Sequence, residues 1–235
     1  MMMKRLLPDL FQLFFPSLCC LCHRRLSEGE ELVCLHCLHA LPYTHYFTLP
    51  ETPLSRTLAG YSNIVSATAF LRYGEDSPAR PLIHELKYYG NQELGRFLGR
   101  LAAHRLMSAG HPLCTAELIV PVPLHPRRQR ERGYNQSECI AEGLSSILHI
   151  PVDTVSFVRT INTSSQTTQT AEQRQHNLRG AFYISRPEAI RLYRHILLVD
   201  DVSTTESTFA TCVEAFSVFT DLHLSLFALA KTSLL

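Results

Sequence analysis

His195-Ile-Leu-Leu-Val-Asp-Asp-Val-Ser-Thr-Thr-Glu-Ser-Thr208 decides how this chain is read. Ile196 to Val199 is an apolar run that reads as a buried strand, and it ends in two acids, Asp200 and Asp201. A hydroxyl-rich turn follows, and then Phe209, Val213 and Phe216 recur at helical spacing. Strand, turn and helix in this order point to an α/β fold, in which ligands bind outside the carboxyl ends of the strands. Backbone N–H groups at a helix start hold anions, and the hydroxyls of Ser203, Thr204, Thr205, Ser207 and Thr208 add donors. Two carboxylates beside such a turn accept hydrogen bonds from sugar hydroxyls. The stretch is expected to bind a phosphorylated sugar.

A second unit of the same kind lies upstream. Leu118-Ile-Val-Pro-Val-Pro-Leu124 reads as a strand entering a turn, and a helix is expected from about Asn135 to Leu148. Between them Arg127, Arg128, Arg130 and Arg132 face a single acid, Glu131, and Gly133 permits a tight turn. A basic loop between a strand end and a helix start suits a polyphosphate, and it also suits a nucleic-acid backbone. Alone it would be a solvated loop. Paired with the acidic turn on a neighbouring strand, it faces one cleft. Arg159 to Gly180 is polar, rich in Thr and Gln, and lacks hydrophobic periodicity. A loop of this length inside a compact domain is a functional lid or disordered. Ile64 to Tyr73 reads as a strand, Arg80 to Met107 as helical segments broken near Gly90, and Leu222 to Ala230 as an alternating final strand. Lys87, just before the break, reads as a solvated surface lysine.

Composition is globular: 235 residues, 46% hydrophobic, 18% charged and a net charge of +1. That balance gives no global pull toward nucleic acid or membrane, so any nucleic-acid contact must come from a local patch. In Met1 to Leu18, Lys4 and Arg5 precede an apolar stretch that Pro8, Asp9, Gln12 and Pro16 interrupt. It reads as a short amphipathic helix rather than a signal or membrane segment. No membrane span and a cytoplasmic location are expected.

Five of the eight cysteines fall between Cys19 and Cys37. Cys19-Cys20-Leu21-Cys22 and Cys34-Leu35-His36-Cys37 are two C-x2-C pairs, and each can present two sulfurs to one tetrahedral zinc ion. A reducing compartment argues against disulfides. The equal spacing favours Cys19, Cys22, Cys34 and Cys37 as ligands, while Cys20 in place of Cys19, or His23 or His36 in competition, stays open. Four protein ligands leave no open position for water, so the expected role is structural. Residues 1–45 are expected to form the terminal helix and zinc module, 46–60 a linker rich in Pro and Thr, and 61–235 the α/β domain. Cys114, Cys139 and Cys212 read as core.

These pieces in this order resemble the ComF family, a zinc module joined to a type I phosphoribosyltransferase domain. Val199-Asp-Asp-Val-Ser-Thr-Thr205 is similar to the superfamily signature for phosphoribosyl pyrophosphate (PRPP). Val120-Pro-Val-Pro-Leu124 with Arg132-Gly-Tyr-Asn-Gln136 is similar to its pyrophosphate-facing loop. Gln166, Arg174, Asn177 and Gly180-Ala-Phe182 match its flexible loop, which with Arg159 would close as a lid. The resemblance implies a mostly parallel sheet flanked by helices. It implies that Asp200 and Asp201 hold the ribose hydroxyls, that Ser203, Thr204, Thr205, Ser207 and Thr208 surround the 5′-phosphate, and that Arg132 faces the pyrophosphate with Mg²⁺. One departure stands out: Glu206 occupies a position where the family usually has Gly, and it is expected to weaken PRPP binding unless turned outward. Three functions fit. The first is a PRPP-binding accessory protein in natural transformation, working with single-stranded DNA and the uptake machinery. The second is a phosphoribosyltransferase that releases pyrophosphate to an unknown nitrogen acceptor. The third is a non-catalytic scaffold for single-stranded DNA.

Overall fold

The computed structural model describes residues 16–159, 181–204 and 207–232. Its strands are β1 (Ile64–Tyr73), β2 (Leu118–Pro121), β3 (Phe157–Arg159), β4 (Phe182–Ile184), β5 (His195–Ser203) and β6 (His223–Thr232). The main sheet has the order β1–β6–β5–β2 and is parallel throughout. β3 and β4 form a separate antiparallel pair. The helices are α1 (Leu35–Ala40), α2 (Pro53–Thr57), α3 (Arg80–Tyr88), α4 (Gln92–Ser108), α5 (Pro126–Arg132), α6 (Gln136–Leu148), α7 (Pro187–Ile190) and α8 (Ser207–Phe216). Among the described residues, no helix is long and apolar enough to cross a membrane.

Both faces of the sheet are covered, which is why its strands are continuous apolar runs. Leu197, Val199, Phe227 and Leu229 pack with Leu86, Leu98 and Leu144 from α3, α4 and α6. Ile196, Leu198, Leu226 and Ala228 pack on the other side with Leu54, Phe209 and Phe216 from α2 and α8. The alternation expected of the final strand is absent. β6 is buried on both faces from Leu224 to Lys231 because helices cover the sheet on either side.

Two segments read from composition differ in the structure. The 46–60 stretch, expected as a linker, is built onto the sheet. Thr52 and Ser55 form a capping box for α2, the Thr52 hydroxyl donates to the Ala67 carbonyl at 2.6 Å, and Leu54 and Leu58 are buried. The basic turn is a helix, α5. Pro126 occupies its first turn, His125 Nδ1 caps the Arg127 N–H at 3.2 Å, and Gly133 closes it with φ 79°. The break between α3 and α4 falls where expected, at Gly90 with φ 71°, and Asn91 caps the second helix by accepting from the Leu94 N–H. The cysteine segment shares the main core: Cys19, Val33, Cys34 and Leu41 belong to the same apolar cluster as Phe70, Leu86 and Leu98.

Helices α4 and α6 approach to backbone contact. A Cβ at Gly99 would run into the Ile140 carbonyl, and one at Gly143 into the Arg96 carbonyl. Arg96 Nε also pairs with Glu142 Oε2 at 2.6 Å across this contact. Gly143→Ala is expected to lower stability by about 1–3 kcal/mol through overpacking. Gly74→Ala, where a Cβ meets open space, should shift it by less than about 0.5 kcal/mol. Urea denaturation of the two variants makes the comparison.

Candidate functional site

β2 and β5 are neighbours in register, with Pro121 opposite Val199 and the Val122 N–H donating to the Val199 carbonyl at 2.8 Å. The turns that leave these two strands therefore start side by side, and Asp200 stands at the shared end. Asp200 is buried, and its Oδ1 accepts from the Ser137 hydroxyl at 3.2 Å and from the Asp201 N–H at 2.9 Å. Ser137 lies in the first turn of α6, so one hydrogen bond joins the acidic strand end to the helix that follows the basic turn. Burial, and then the neighbouring Asp201 charge, push the Asp200 carboxyl up to about 7, against the pull of the Asp201 N–H, Lys87 and Ser137. Asp201 takes the Val202 N–H on Oδ1 at 2.6 Å and the Lys87 ammonium on Oδ2 at 3.1 Å.

The hydroxyl turn starts at Ser203, which is 4% exposed and whose Oγ has no hydrogen-bond partner among the described residues. A buried hydroxyl without a partner costs free energy until something accepts its proton or donates to it. Thr232 on β6 fixes the turn by donating to the Ser203 and Thr204 carbonyls at 3.3 and 2.9 Å. Ser207 and Thr208 open α8, with the Ser207 carbonyl accepting from the Thr211 hydroxyl at 2.8 Å. Thr205 and Glu206 lie outside the described residues.

On the basic side, Arg132 Nη1 donates to Gln136 Oε1 at 3.0 Å, and its guanidinium lies 5.6 Å from the centre of the Tyr88 ring. The Tyr134 hydroxyl donates to the Leu86 carbonyl, and Asn135 caps α6 while its Nδ2 donates to the Val122 carbonyl at 3.1 Å. Gln136 is fully buried, and its Nε2 has no partner among the described residues. Arg127, Arg128 and Arg130 are exposed. Arg159, at the end of β3, lies over the Phe182 ring at 5.1 Å. Burial and the Arg128 charge hold its guanidinium below the ordinary value, with Cys212 and Asp200 acting in the opposite sense. Gln166, Arg174 and Asn177 lie outside the described residues.

The structure brings Asp200, Asp201, Ser203 and the Arg132 turn to one end of the main sheet, while Arg159 ends β3 in the separate antiparallel pair. It adds Ser137, which the sequence did not single out, and brings Lys87 and Gln136 to the same place. Lys87, expected on the solvated surface, is 21% exposed at the side chain and paired with Asp201. Its signal in the sequence was weak: a lysine in the last helical turn, followed by two tyrosines and Gly90.

At the front of the chain, the Sγ atoms of Cys19, Cys22, Cys34 and Cys37 lie within 4.8 Å of one another and can hold a metal ion. Cys22 and Cys34 are 3.7 Å apart at sulfur. Four sulfurs about 2.3 Å from a tetrahedral zinc ion would have nearly that spacing. Cys20 points elsewhere, with Asn91 Nδ2 3.9 Å from its sulfur, and neither His23 nor His36 joins the group. Burial raises the Cys19 thiol, but backbone N–H groups, that of Cys34 foremost, outweigh it and bring it down to about 6. Cys37 moves the other way: burial and the sulfurs of Cys34, Cys22 and Cys19 push its thiol up.

The raised Asp200 value carries a stability cost. The folded chain binds this proton more tightly than the unfolded chain does. The group's contribution is therefore fully present below the unfolded value and lost as pH rises through about 7. Asp200→Asn keeps the side-chain oxygen and removes the charge. It is expected to be more stable than the parent by about 1–4 kcal/mol at pH 8 and nearly equal at pH 4. Melting curves at the two pH values check this, and an equal shift at both would contradict it.

No protein-family model matches the chain. Among characterised proteins it is similar to DNA utilization protein YhgH of Escherichia coli strain K12, 33% identical over 212 residues that cover 83% of this chain and 88% of the relative. The counterpart from Salmonella typhi is 31% identical over 214 residues, with the same coverage. Competence protein F of Haemophilus influenzae is 38% identical over 133 residues, 56% of this chain and 58% of the relative. With its parallel α/β sheet, its four-cysteine cluster and these relatives, the chain belongs to the ComF family.

Proposed function

We propose that the cleft at the ends of β2 and β5 binds PRPP with Mg²⁺, and that the protein is a PRPP-binding accessory factor in the utilisation of incoming DNA during natural transformation. The observation that carries the reading is the Ser137–Asp200 hydrogen bond at 3.2 Å, which ties the acidic strand end to the helix behind the basic turn. PRPP needs that combination: a diol on one side, a pyrophosphate on the other and a 5′-phosphate at the end. Asp200 and Asp201 accept from the ribose hydroxyls. The Ser203 hydroxyl donates to the 5′-phosphate at the start of α8, where Thr204, Thr205, Ser207 and Thr208 add donors. Arg132 takes the pyrophosphate, and Arg159 stands where a closing loop would begin. Mg²⁺ bound with the ligand would offset pyrophosphate charge. Glu206, which lies outside the described residues, would temper affinity through its negative charge unless turned outward. The DNA role is supported by relatives named for DNA utilization and competence.

We further propose that Cys19, Cys22, Cys34 and Cys37 hold structural zinc. Cys19 and Cys34 are wholly buried in the main core, so metal loss is expected to unsettle the packing of α3 and α4 as well as the front segment. A strong chelator should lower the melting temperature by several degrees, and added Zn²⁺ should restore it. No shift on metal removal would contradict the structural role.

Calorimetric titration of metal-loaded protein with PRPP and Mg²⁺ tests the ligand. Saturable binding is expected, weakened at least about tenfold by Asp200→Ala and abolished without Mg²⁺. In a transformable host, Asp200→Ala should also reduce recovery of transformants. Absence of PRPP binding by the parent protein would overturn the reading.

A further inference from the structure

The sugar and phosphate roles leave Lys87 without a task. It is the penultimate residue of α3, its Nζ is 3.1 Å from Asp201 Oδ2, and the two side chains are 21% and 14% exposed. Both of its chain neighbours are fastened to the basic turn. The Leu86 carbonyl accepts from the Tyr134 hydroxyl, and the Tyr88 ring lies against the Arg132 guanidinium. Lys87 therefore stands at the seam of the cleft, with the acids on one side and the arginine turn on the other.

The bridge obstructs the site as it stands. Asp201 Oδ1 is taken by the Val202 N–H, and Oδ2 by the ammonium. A sugar hydroxyl that approaches Oδ2 must compete with a charged donor, and charge-assisted bonds are the stronger kind. Pulling the ammonium off leaves two partly buried charges uncompensated unless another anion receives it. A lysine can make that move without disturbing its helix, because its charge rides on a flexible four-carbon stem. The C-terminal end of α3 favours a cation in either position.

We propose that Lys87 is a ligand-binding residue that exchanges Asp201 for a pyrophosphate oxygen when a sugar pyrophosphate enters the cleft. This rests on the PRPP reading of the site and adds a selection rule to it. The ribose diol gains Asp201 Oδ2 only when the pyrophosphate gains the ammonium, so the two ends of the ligand bind interdependently. Ribose 5-phosphate has no pyrophosphate at C1 to receive the displaced ammonium and must bind against the intact bridge.

The test is calorimetry of the metal-loaded full chain, with Mg²⁺, using PRPP and ribose 5-phosphate as separate probes. Lys87→Gln is expected to weaken PRPP at least about tenfold, while ribose 5-phosphate binds equally or more tightly. Lys87→Arg, which keeps the charge, should retain PRPP affinity within about threefold. A purely structural bridge would move both ligands together. Equal loss for both probes in Lys87→Gln, or unchanged PRPP affinity, would therefore overturn the exchange. If the parent protein binds no PRPP, the parent reading falls and this inference falls with it, a result distinct from any difference among the variants.

Discussion

Asp200 and Asp201 bring two adjacent carboxylates to the end of a central strand where little water reaches them. Charge in such a place is costly unless it is paired or hydrogen-bonded. The surroundings supply that compensation through four groups: the Ser137 hydroxyl from α6, the Lys87 ammonium from α3, and the N–H groups of Asp201 and Val202 from the strand itself. Burial still prevails at Asp200, whose carboxyl sits near 7 rather than in the usual carboxylate range. The site is thus held in a state that a ligand with hydroxyl donors and a countercation would relieve. Local destabilisation of this kind is what a stability cost at a functional site looks like.

The rest of the fold keeps those compensating groups in place. α6 can aim Ser137 at Asp200 only if its own position is rigid, and its glycine contact with α4 leaves no room for an added methyl group. α3 can aim Lys87 at Asp201 only if its end is fixed, and the Tyr134 hydroxyl does that at Leu86. The cysteine segment joins the same core cluster as α3 and α4, and Arg100 on α4 pairs with Glu31 in that segment at 2.7 Å. A metal centre there would stiffen the wall of the cleft from behind, without touching a ligand.

Much of this was legible in local sequence. The apolar run before Asp200 could only be a buried strand in an α/β setting, and the paired C-x2-C spacing brought four sulfurs to one point. The break at Gly90 followed from a residue free to adopt positive φ. What escaped depended on partners distant in the chain. Lys87 reads as a surface lysine because the one acid near it in sequence, Glu85, is two residues away on a helix and does not face it, and Asp201 arrives only through the parallel crossover. Ser137 reads as an ordinary first-turn residue until β2 and β5 are neighbours. The 46–60 stretch looked like a linker by its Pro and Thr content. Those same residues make a capping box and a proline first turn, and the two leucines behind them find the sheet. β6 lost its expected alternation because helices cover both faces of the sheet and leave the strand no wet face.

The central claim is that the acidic strand end and the basic turn form one cleft that takes both ends of a single ligand. Phosphorus NMR of PRPP, titrated with metal-loaded protein and Mg²⁺, reports on the 5′-phosphate and the pyrophosphate separately. The account predicts that the resonances of both groups shift and broaden together along one binding curve. A response confined to the pyrophosphate, with the 5′-phosphate signal unmoved at saturation, would mean that the arginine turn binds anions by itself and would contradict the claim.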